Sequence, residues 1–130
     1  MKQFGFPKAE HLCLQRDIDR LFSAGSKAFS VYPVRVVYRE FDYPGRGPRV
    51  QVLLSVAKRR LRHAVSRHRA KRQLREAYRL QKHVLLDALP ADKGLHLAFL
   101  WLAEGDKRTE RIAESVGKLL RLIVEKEYRA

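Results

Sequence analysis

The fold is decided by residues 54–79, which read LSVAKRRLRHAVSRHRAKRQLREAYR. Residues 50–57, which overlap the start of this stretch, are rich in valine and leucine, as is typical of a strand. From residue 64 onward the chain has good helix formers and meets no Gly or Pro before Pro90. The stretch therefore predicts a strand over residues 50–57 followed by the longest helix of the chain over residues 64–89.

On the N-terminal side, two further elements precede this strand. Residues 14–23 carry apolar side chains at helical spacing, and residues 29–38 are rich in valine and aromatic side chains, which predicts a short helix and then a strand. Residues 42–48, DYPGRGP, are dense in turn formers. We therefore expect the strands over residues 29–38 and 50–57 to pair as an antiparallel hairpin, after a loose lead-in over residues 1–10.

On the C-terminal side, the pattern changes from turn to strand to helix. Residues 93–94 predict a turn, and the apolar run over residues 95–102 predicts a buried strand. Asp106 is the expected N-cap of an amphipathic helix over residues 107–127. The order α-β-β-α-β-α predicts one α+β domain over residues 1–130, a two-layer α/β sandwich in which a small sheet packs against the long basic helix.

Positive charge is concentrated in one segment. The chain has a formal net charge of +14, and residues 58–82 hold eleven Lys and Arg side chains against one acid, Glu76, which is a net +10. A solvated helix face would normally mix signs to gain stabilising pairs, so the near absence of acids favours a polyanionic partner, with nucleic acid first among the candidates. An arc of about 100° on the helix would carry five of these cations, Lys71, Arg72, Arg75, Arg79 and Lys82.

Other classes of protein are disfavoured by features that the sequence lacks. The single Cys13 cannot form an intramolecular disulfide, and neither a signal peptide nor an apolar run of about 18 residues is present, so we expect a cytoplasmic protein without a membrane partner. The acids are scattered, and the histidines show no spacing typical of zinc or acid–base sites. We therefore predict no catalytic residue, no metal ligand and no bound cofactor in the protein itself.

The stretch around the long helix resembles a known motif. SVAKR at residues 55–59 is similar to the Ser/Thr-Val-x-Lys-Lys pattern of the bacterial ribonuclease P protein family, and the RHR, KR and RE that follow are similar to its Arg-Asn-Arg, Lys-Arg and Arg-Glu. Phe22 and Gly25 match the end of the family's first helix. Two positions depart from the family: His68 stands in place of Asn, and Glu104 stands in place of the Lys in a Lys-Gly pair that relatives often carry.

The resemblance implies a division of labour between protein and RNA. In this family the RNA subunit hydrolyses the phosphodiester bond with Mg²⁺, while the protein binds both the catalytic RNA and the 5′ leader of precursor tRNA. No obligate protein partner is expected. The resemblance implies a leader cleft lined by Ile18, Phe22, Tyr38, Ser55 and Lys58. Together with the charge pattern, it assigns the RNA contacts to Arg59, Arg60, Arg67, His68, Arg69, Lys71, Arg72, Arg75 and Arg79.

Three alternative functions are open from the residues alone. A ribosomal-type or other structural RNA-binding protein would explain the charge equally well, but not the ordered motif. A DNA-binding regulator would be expected to have a shorter recognition helix with base-reading side chains. A stand-alone nuclease would need clustered acids or a positioned base. Phe22 and Tyr38 also fit an ordinary role in the core.

Overall fold

Residues 8–128 are described by a computed structural model, in which helices pack on both faces of one four-stranded sheet. The α+β class agrees with the prediction. Within these residues no helix is long and apolar enough to cross a bilayer. Residues 1–7, which hold most of the predicted lead-in, lie outside the described residues. The elements in chain order are a 3-10 helix Lys8–Glu10, α1 Gln15–Leu21, β1 Lys27–Val31, β2 Val34–Asp42, β3 Val50–Ser55, α2 Ala64–Gln81, α3 His83–Ala88, β4 Lys93–Trp101 and α4 Thr109–Glu127.

The strand order differs from the predicted hairpin. The sheet has the order β1-β2-β4-β3, in which β2 pairs antiparallel with β4 and β3 pairs parallel with β4. The prediction that the strands over residues 29–38 and 50–57 pair with each other is therefore wrong, because β4 lies between them. β4 is apolar and buried along most of its length, and a strand with both faces covered belongs in the centre of a sheet.

The predicted strand over residues 29–38 is in fact divided between two strands. The chain reverses at Tyr32 and Pro33, which are joined by a cis peptide bond, so that Val31 pairs with Val34. Pro has no backbone N–H to donate to a ladder, so Pro33 fits the turn and not the interior of a strand. The antiparallel hairpin of this fold is therefore β1 with β2.

The main core lies between one face of the sheet and the helices α2 and α4. Strand residues such as Val36, Leu97 and Phe99 are fully buried against helix residues such as Leu74 and Leu119. Burial of a side chain of this size contributes about 1.5–3 kcal/mol to folding. The opposite side of α2 faces solvent. Its buried side consists of Ala70, Gln73, Leu74, Ala77 and Tyr78.

Three local predictions are wrong. The predicted helix over residues 64–89 is divided at Lys82 into α2 and α3. Lys93-Gly94 does not form a turn but begins β4, because both residues pair with the end of β2. The N-cap of α4 is Arg108. Asp106 lies before that helix, where its carboxylate pairs with an arginine of α2 instead of capping α4.

The second face of the sheet carries α1 and a smaller core. Leu12, Leu21, Val37 and Ala98 are buried there, with Ile18 packed against them. The segment before α1 runs along β3, where the N–H of Leu12 donates to a backbone carbonyl of that strand over 2.9 Å. With only seven residues, α1 covers this face incompletely.

Candidate nucleic-acid interface

The predicted RNA contacts lie on two neighbouring pieces of the chain. Residues 58–60 form the turn that follows β3, and the other contacts lie on α2. Because α2 buries its opposite side, helical geometry directs His68, Arg72, Arg75 and Arg79 toward solvent. The turn, the segment that joins it to α2 and the cations of α2 form one cationic surface. We call it the basic surface, and it consists of Lys58, Arg59, Arg60, Arg62, Arg67, His68, Arg69, Lys71, Arg72, Arg75 and Arg79.

Much of the charge on the basic surface is not neutralised within the described part of the protein. Unpaired cations on one surface repel one another and attract a polyanion. Arg62 is not among the nine predicted contacts, although its place within the same charge run would have identified it. Among residues 8–128, no carboxylate lies within 4.0 Å of the charged groups of Lys58, Arg59, Arg62, Lys71, Arg72 or Arg75.

Three carboxylates border the basic surface, and each pairs with an arginine. Glu76 accepts hydrogen bonds of 3.0 and 2.8 Å from Arg79, and these bonds hold the pKa of Glu76 below its usual value of 4.5. Glu104 stands where relatives often have a Lys, so a positive charge is lost at that position. Glu104 also neutralises the charge of Arg60, which is a predicted RNA contact. The other two pairs are Arg69 with Asp106, at 3.6 Å, and Arg60 with Glu104.

Arg67 has a structural role within the basic surface. Its guanidinium donates to the backbone carbonyls of Leu61 and Arg62, each over 2.9 Å. These two bonds tie the first turn of α2 to the segment that follows β3. The motif in the sequence does not reveal this structural role, because the acceptors are backbone atoms. Direct contact of Arg67 with RNA stays a prediction.

Lys82 does not belong to the basic surface, which corrects the predicted arc of five cations. Its side chain is 5% exposed, and its ammonium donates to both carboxylate oxygens of Glu10, over 2.9 and 3.2 Å. A buried ammonium needs such a partner, because removing a charge from water costs several kcal/mol. The arc does not extend to Lys82 because α2 ends at Gln81. The pair anchors the segment before α1 to the end of α2.

Three of the predicted leader-cleft residues lie on or beside the α1 face of the sheet, and Lys58 adjoins them. Ile18 packs into the smaller core, and Phe22, at the C-terminal end of α1, is 48% exposed. Ser55 is paired with Leu100, which packs against the same core, so both lie on this face. Lys58 is exposed in the turn that follows. We call the space beside Ile18, Phe22, Ser55 and Lys58 the leader groove.

Tyr38 does not belong to the leader groove, and this prediction is wrong. It is 2% exposed within the main core on the other face, where its hydroxyl donates to Glu127 over 2.8 Å. Burial and the Glu127 carboxylate raise the pKa of Tyr38 above its usual value. Side chains along a strand alternate between faces, so β2 presents Arg35 and Val37 to the α1 side instead. The alternation is visible in the sequence, but the face that α1 covers is not.

The fold and its surface define a class of protein. It is a small α+β protein in which a long helix presents a focused cationic surface beside a groove with an exposed aromatic side chain, and this combination is typical of proteins that bind nucleic acid. Among residues 8–128, no group of three or more His, Cys, Asp or Glu side chains could hold a metal ion. A family model described as Ribonuclease P matches residues 6–123. The chain therefore belongs to the bacterial ribonuclease P protein family, which confirms the resemblance.

Curated relatives carry the same family name. The chain is 52% identical over 86 residues to a ribonuclease P protein component of Porphyromonas gingivalis, and that alignment covers 66% of this chain and 61% of the relative. It is 33% identical over 123 residues to a ribonuclease P protein component of Chlorobium phaeobacteroides, with 87% of this chain and 84% of the relative covered. The chain thus spans less than two thirds of the length of the Porphyromonas relative that it matches.

Solved structures show the same fold. The RNase P protein of Staphylococcus aureus is similar to this chain with a TM-score of 0.68 at 19% identity, and the match covers 94% of this chain and 100% of the other. The RNase P protein of Thermotoga maritima is similar with a TM-score of 0.56 at 22% identity, covering 90% and 96% of the two chains. This level of identity establishes the fold alone.

Proposed function

We propose that this chain binds the catalytic RNA of ribonuclease P through its basic surface and holds the 5′ leader of precursor tRNA in its leader groove. In this way it assists the endonucleolytic removal of the leader. The observation that carries the proposal is the concentration of cations without a carboxylate partner in residues 8–128, on the turn after β3 and on the outward side of α2. The family relationship supports the same assignment.

The basic surface has the chemistry needed to bind folded RNA. Arginine predominates over lysine on it, and a guanidinium can contact a phosphate with two parallel hydrogen bonds or stack on a base. Neutralising phosphates releases their counterions, so affinity should fall as salt rises. If about six phosphates are contacted, the log–log slope of affinity against salt is expected to be roughly −4 to −5.

The leader groove has the chemistry needed to hold a single strand. Phe22 is 48% exposed, and stacking of a base on such a ring contributes about 1–3 kcal/mol. Lys58 and Arg35 lie at the same end of the groove, where both are exposed and able to contact the phosphates of the strand. Ser55 adds a hydroxyl that can donate to or accept from a base or sugar.

The proposal assigns the hydrolysis itself to the RNA subunit, with Mg²⁺ bound by RNA. The carboxylates that border the basic surface support this assignment, because Glu76, Glu104 and Asp106 each pair with an arginine. An arginine-paired carboxylate is held as a charge partner and is a weak proton acceptor. We place the protein in the bacterial cytoplasm, since that is where precursor tRNA is processed.

Reconstitution tests the proposed function. The purified chain is mixed with a bacterial ribonuclease P RNA and precursor tRNA at low Mg²⁺, and accurate leader removal is measured. We expect the protein to increase the rate over RNA alone, and the double variant Arg69→Ala/Arg72→Ala to lose most of that increase. The matched control, Lys118→Ala/Arg121→Ala, removes two exposed cations from α4 and should keep it. No increase with the unaltered chain would favour a structural RNA-binding protein of ribosomal type.

A further inference from the structure

The other end of the α1 face holds a groove that none of the predicted sites includes. Arg16 and Arg20 line it from α1, Phe41 and His96 line it from β2 and β4, and Arg46 reaches it from the loop between β2 and β3. Its volume is about 520 Å³, which lies within the range of roughly 300–1,000 Å³ that is usual for ligand pockets. We call it the arginine groove.

α1 separates the arginine groove from the leader groove. Arg16 and Arg20 are four residues apart and share one flank of α1, whereas Ile18 and Phe22 lie roughly 120–160° away around the helix. Along β3 the two grooves are four residues apart, which is about 13 Å. A ligand in one groove therefore leaves the other free.

The floor of the arginine groove is a pair of stacked rings. The ring centroids of Phe41 and His96 are 4.4 Å apart, with an angle of 30° between the ring planes. Gly94 makes room for this pair, because an added Cβ would collide with the Phe41 ring. Burial lowers the pKa of His96 below its usual value despite the nearby Asp17 carboxylate, which favours the neutral form of the imidazole. The floor is thus an uncharged aromatic platform.

The rim of the arginine groove is positively charged. Neither Arg20 nor Arg46 forms an ion pair with a carboxylate of residues 8–128. Arg46 is exposed on its loop, so it is free to follow a ligand. The two carboxylates of the groove have cationic neighbours of their own, Asp17 at 4.0 Å from Arg16 and Asp42 as the acceptor of a 2.7 Å bond from Lys93.

We propose that the arginine groove is a second site for single-stranded RNA, which takes one unpaired nucleotide. The base lies against the rings of Phe41 and His96, and the arginines contact the phosphates on either side of it. Gln51 donates through Nε2 to a backbone carbonyl over 3.1 Å, which leaves its side-chain oxygen for the edge of the base. Proteins hold single strands by this combination of an aromatic platform and flanking cations.

Two sources can supply such a nucleotide. One is the part of a long leader that extends beyond the leader groove, and the other is an unpaired segment of the catalytic RNA. Both present the same chemistry, a stackable base between two phosphates. The choice of source rests on the proposed function, whereas binding of a short oligonucleotide by the protein alone does not.

A nuclear magnetic resonance titration of the full chain with pentauridylate tests the site. We expect the backbone amides of residues 94–96 and of Gln51 to shift on titration, and to do so equally in Phe22→Ala, which alters only the leader groove. Phe41→Leu and Arg46→Gln should each weaken the binding that these amides report by about tenfold, as expected for the loss of one stacked or charged contact. Lys118→Gln, an exposed cation on α4, is the matched control and should change nothing.

The proposal is overturned if the amides of residues 94–96 and Gln51 do not shift while amides of the leader groove or the basic surface do. It is also overturned if Phe41→Leu and Arg46→Gln both bind pentauridylate like the unaltered chain. Thermal unfolding shows whether each variant is folded. If Phe41→Leu does not fold, the test depends on Arg46→Gln, whose position on an exposed loop makes unfolding unexpected. In the reconstituted enzyme, a higher KM for long leaders alone identifies the leader as the source. Weaker assembly with the catalytic RNA at every leader length identifies the RNA subunit. Failure of reconstitution itself counts only against the proposed function.

Discussion

The two long helices α2 and α4 pack side by side on one face of the sheet but carry very different charge. They have 18 and 19 residues, and both bury one side in the main core. α2 holds six Lys or Arg and one acid, whereas α4 holds four of each sign. In α4 opposite charges recur at the stabilising spacing of four residues, as in Glu114 with Lys118 and Arg121 with Glu125. The shared packing role therefore does not account for the charge on α2.

The charge on α2 works against the stability of that helix. Like charges three or four residues apart destabilise a helix by about a few tenths of a kcal/mol per pair. Tertiary packing offsets this, because Leu74 and Tyr78 are fully buried against the sheet and α4. The comparison indicates that α4 serves mainly the fold, and it supports the proposal that the outward side of α2 binds RNA. Four substitutions test that distinction.

The largest effect is expected for a core substitution in α4. Leu119→Ala removes a fully buried side chain, so the free energy of unfolding should fall by about 3 kcal/mol through lost burial and a residual cavity. Urea unfolding measures this loss. RNA affinity of the folded fraction should stay unchanged, and a weaker affinity in protein that is still folded would mean that α4 takes part in RNA binding.

The next effect concerns one cation on α2. Arg72→Ala should weaken binding to the catalytic RNA by about tenfold, with a change in unfolding free energy within about 0.5 kcal/mol, because Arg72 is exposed and has no carboxylate within 4.0 Å among residues 8–128. Lys118→Ala on α4 is the control and should leave RNA affinity unchanged. Filter binding and urea unfolding measure the two quantities. Parallel losses of binding and stability would identify Arg72 as structural.

A smaller effect, on the pH dependence of stability, is expected for Glu127, the last residue of α4. Burial raises the pKa of Glu127, but hydrogen bonds from Lys27 and Tyr38 outweigh it and hold the pKa below 4.5. The folded state therefore gains stability above pH 4.5 and loses it as pH falls through the lowered pKa. Glu127→Gln should cost about 1 kcal/mol at pH 7 and flatten the acid-side loss. Urea unfolding between pH 3 and pH 7 measures the free energy of unfolding of both proteins. Parallel pH dependence in the unaltered chain and in Glu127→Gln would refute the prediction.

The smallest effect is expected beside α2. Glu104→Gln removes the partner of Arg60 and frees that guanidinium for phosphate. Because the carboxylate is largely exposed, the gain in RNA affinity should be only about two- to threefold. Titration at two salt concentrations measures it, and the gain should shrink at the higher one. Weaker binding in the variant would show that Glu104 positions Arg60 for RNA instead of competing with it.

Much of the candidate site is readable from the sequence because charge and helix period are local properties. The charge run over residues 58–82 lies within a few turns of chain, whereas the end of α2 at Gln81 is not visible in the helical pattern. The groove around Phe41 and His96 carries no such local signal, since its residues come from α1, three strands and a loop. Only packing brings them together.

Most element types, the family and the concentration of charge follow from the sequence, because each depends on neighbours within a short span of chain. The pairing of β3 with β4, the position of Tyr38 in the main core and the burial of Lys82 beside Glu10 depend on how the whole chain packs. Strand pairing and the choice of sheet face are set by which apolar surfaces meet across the whole domain. A difference of one residue in register moves a side chain to the opposite face, and no local pattern records that choice.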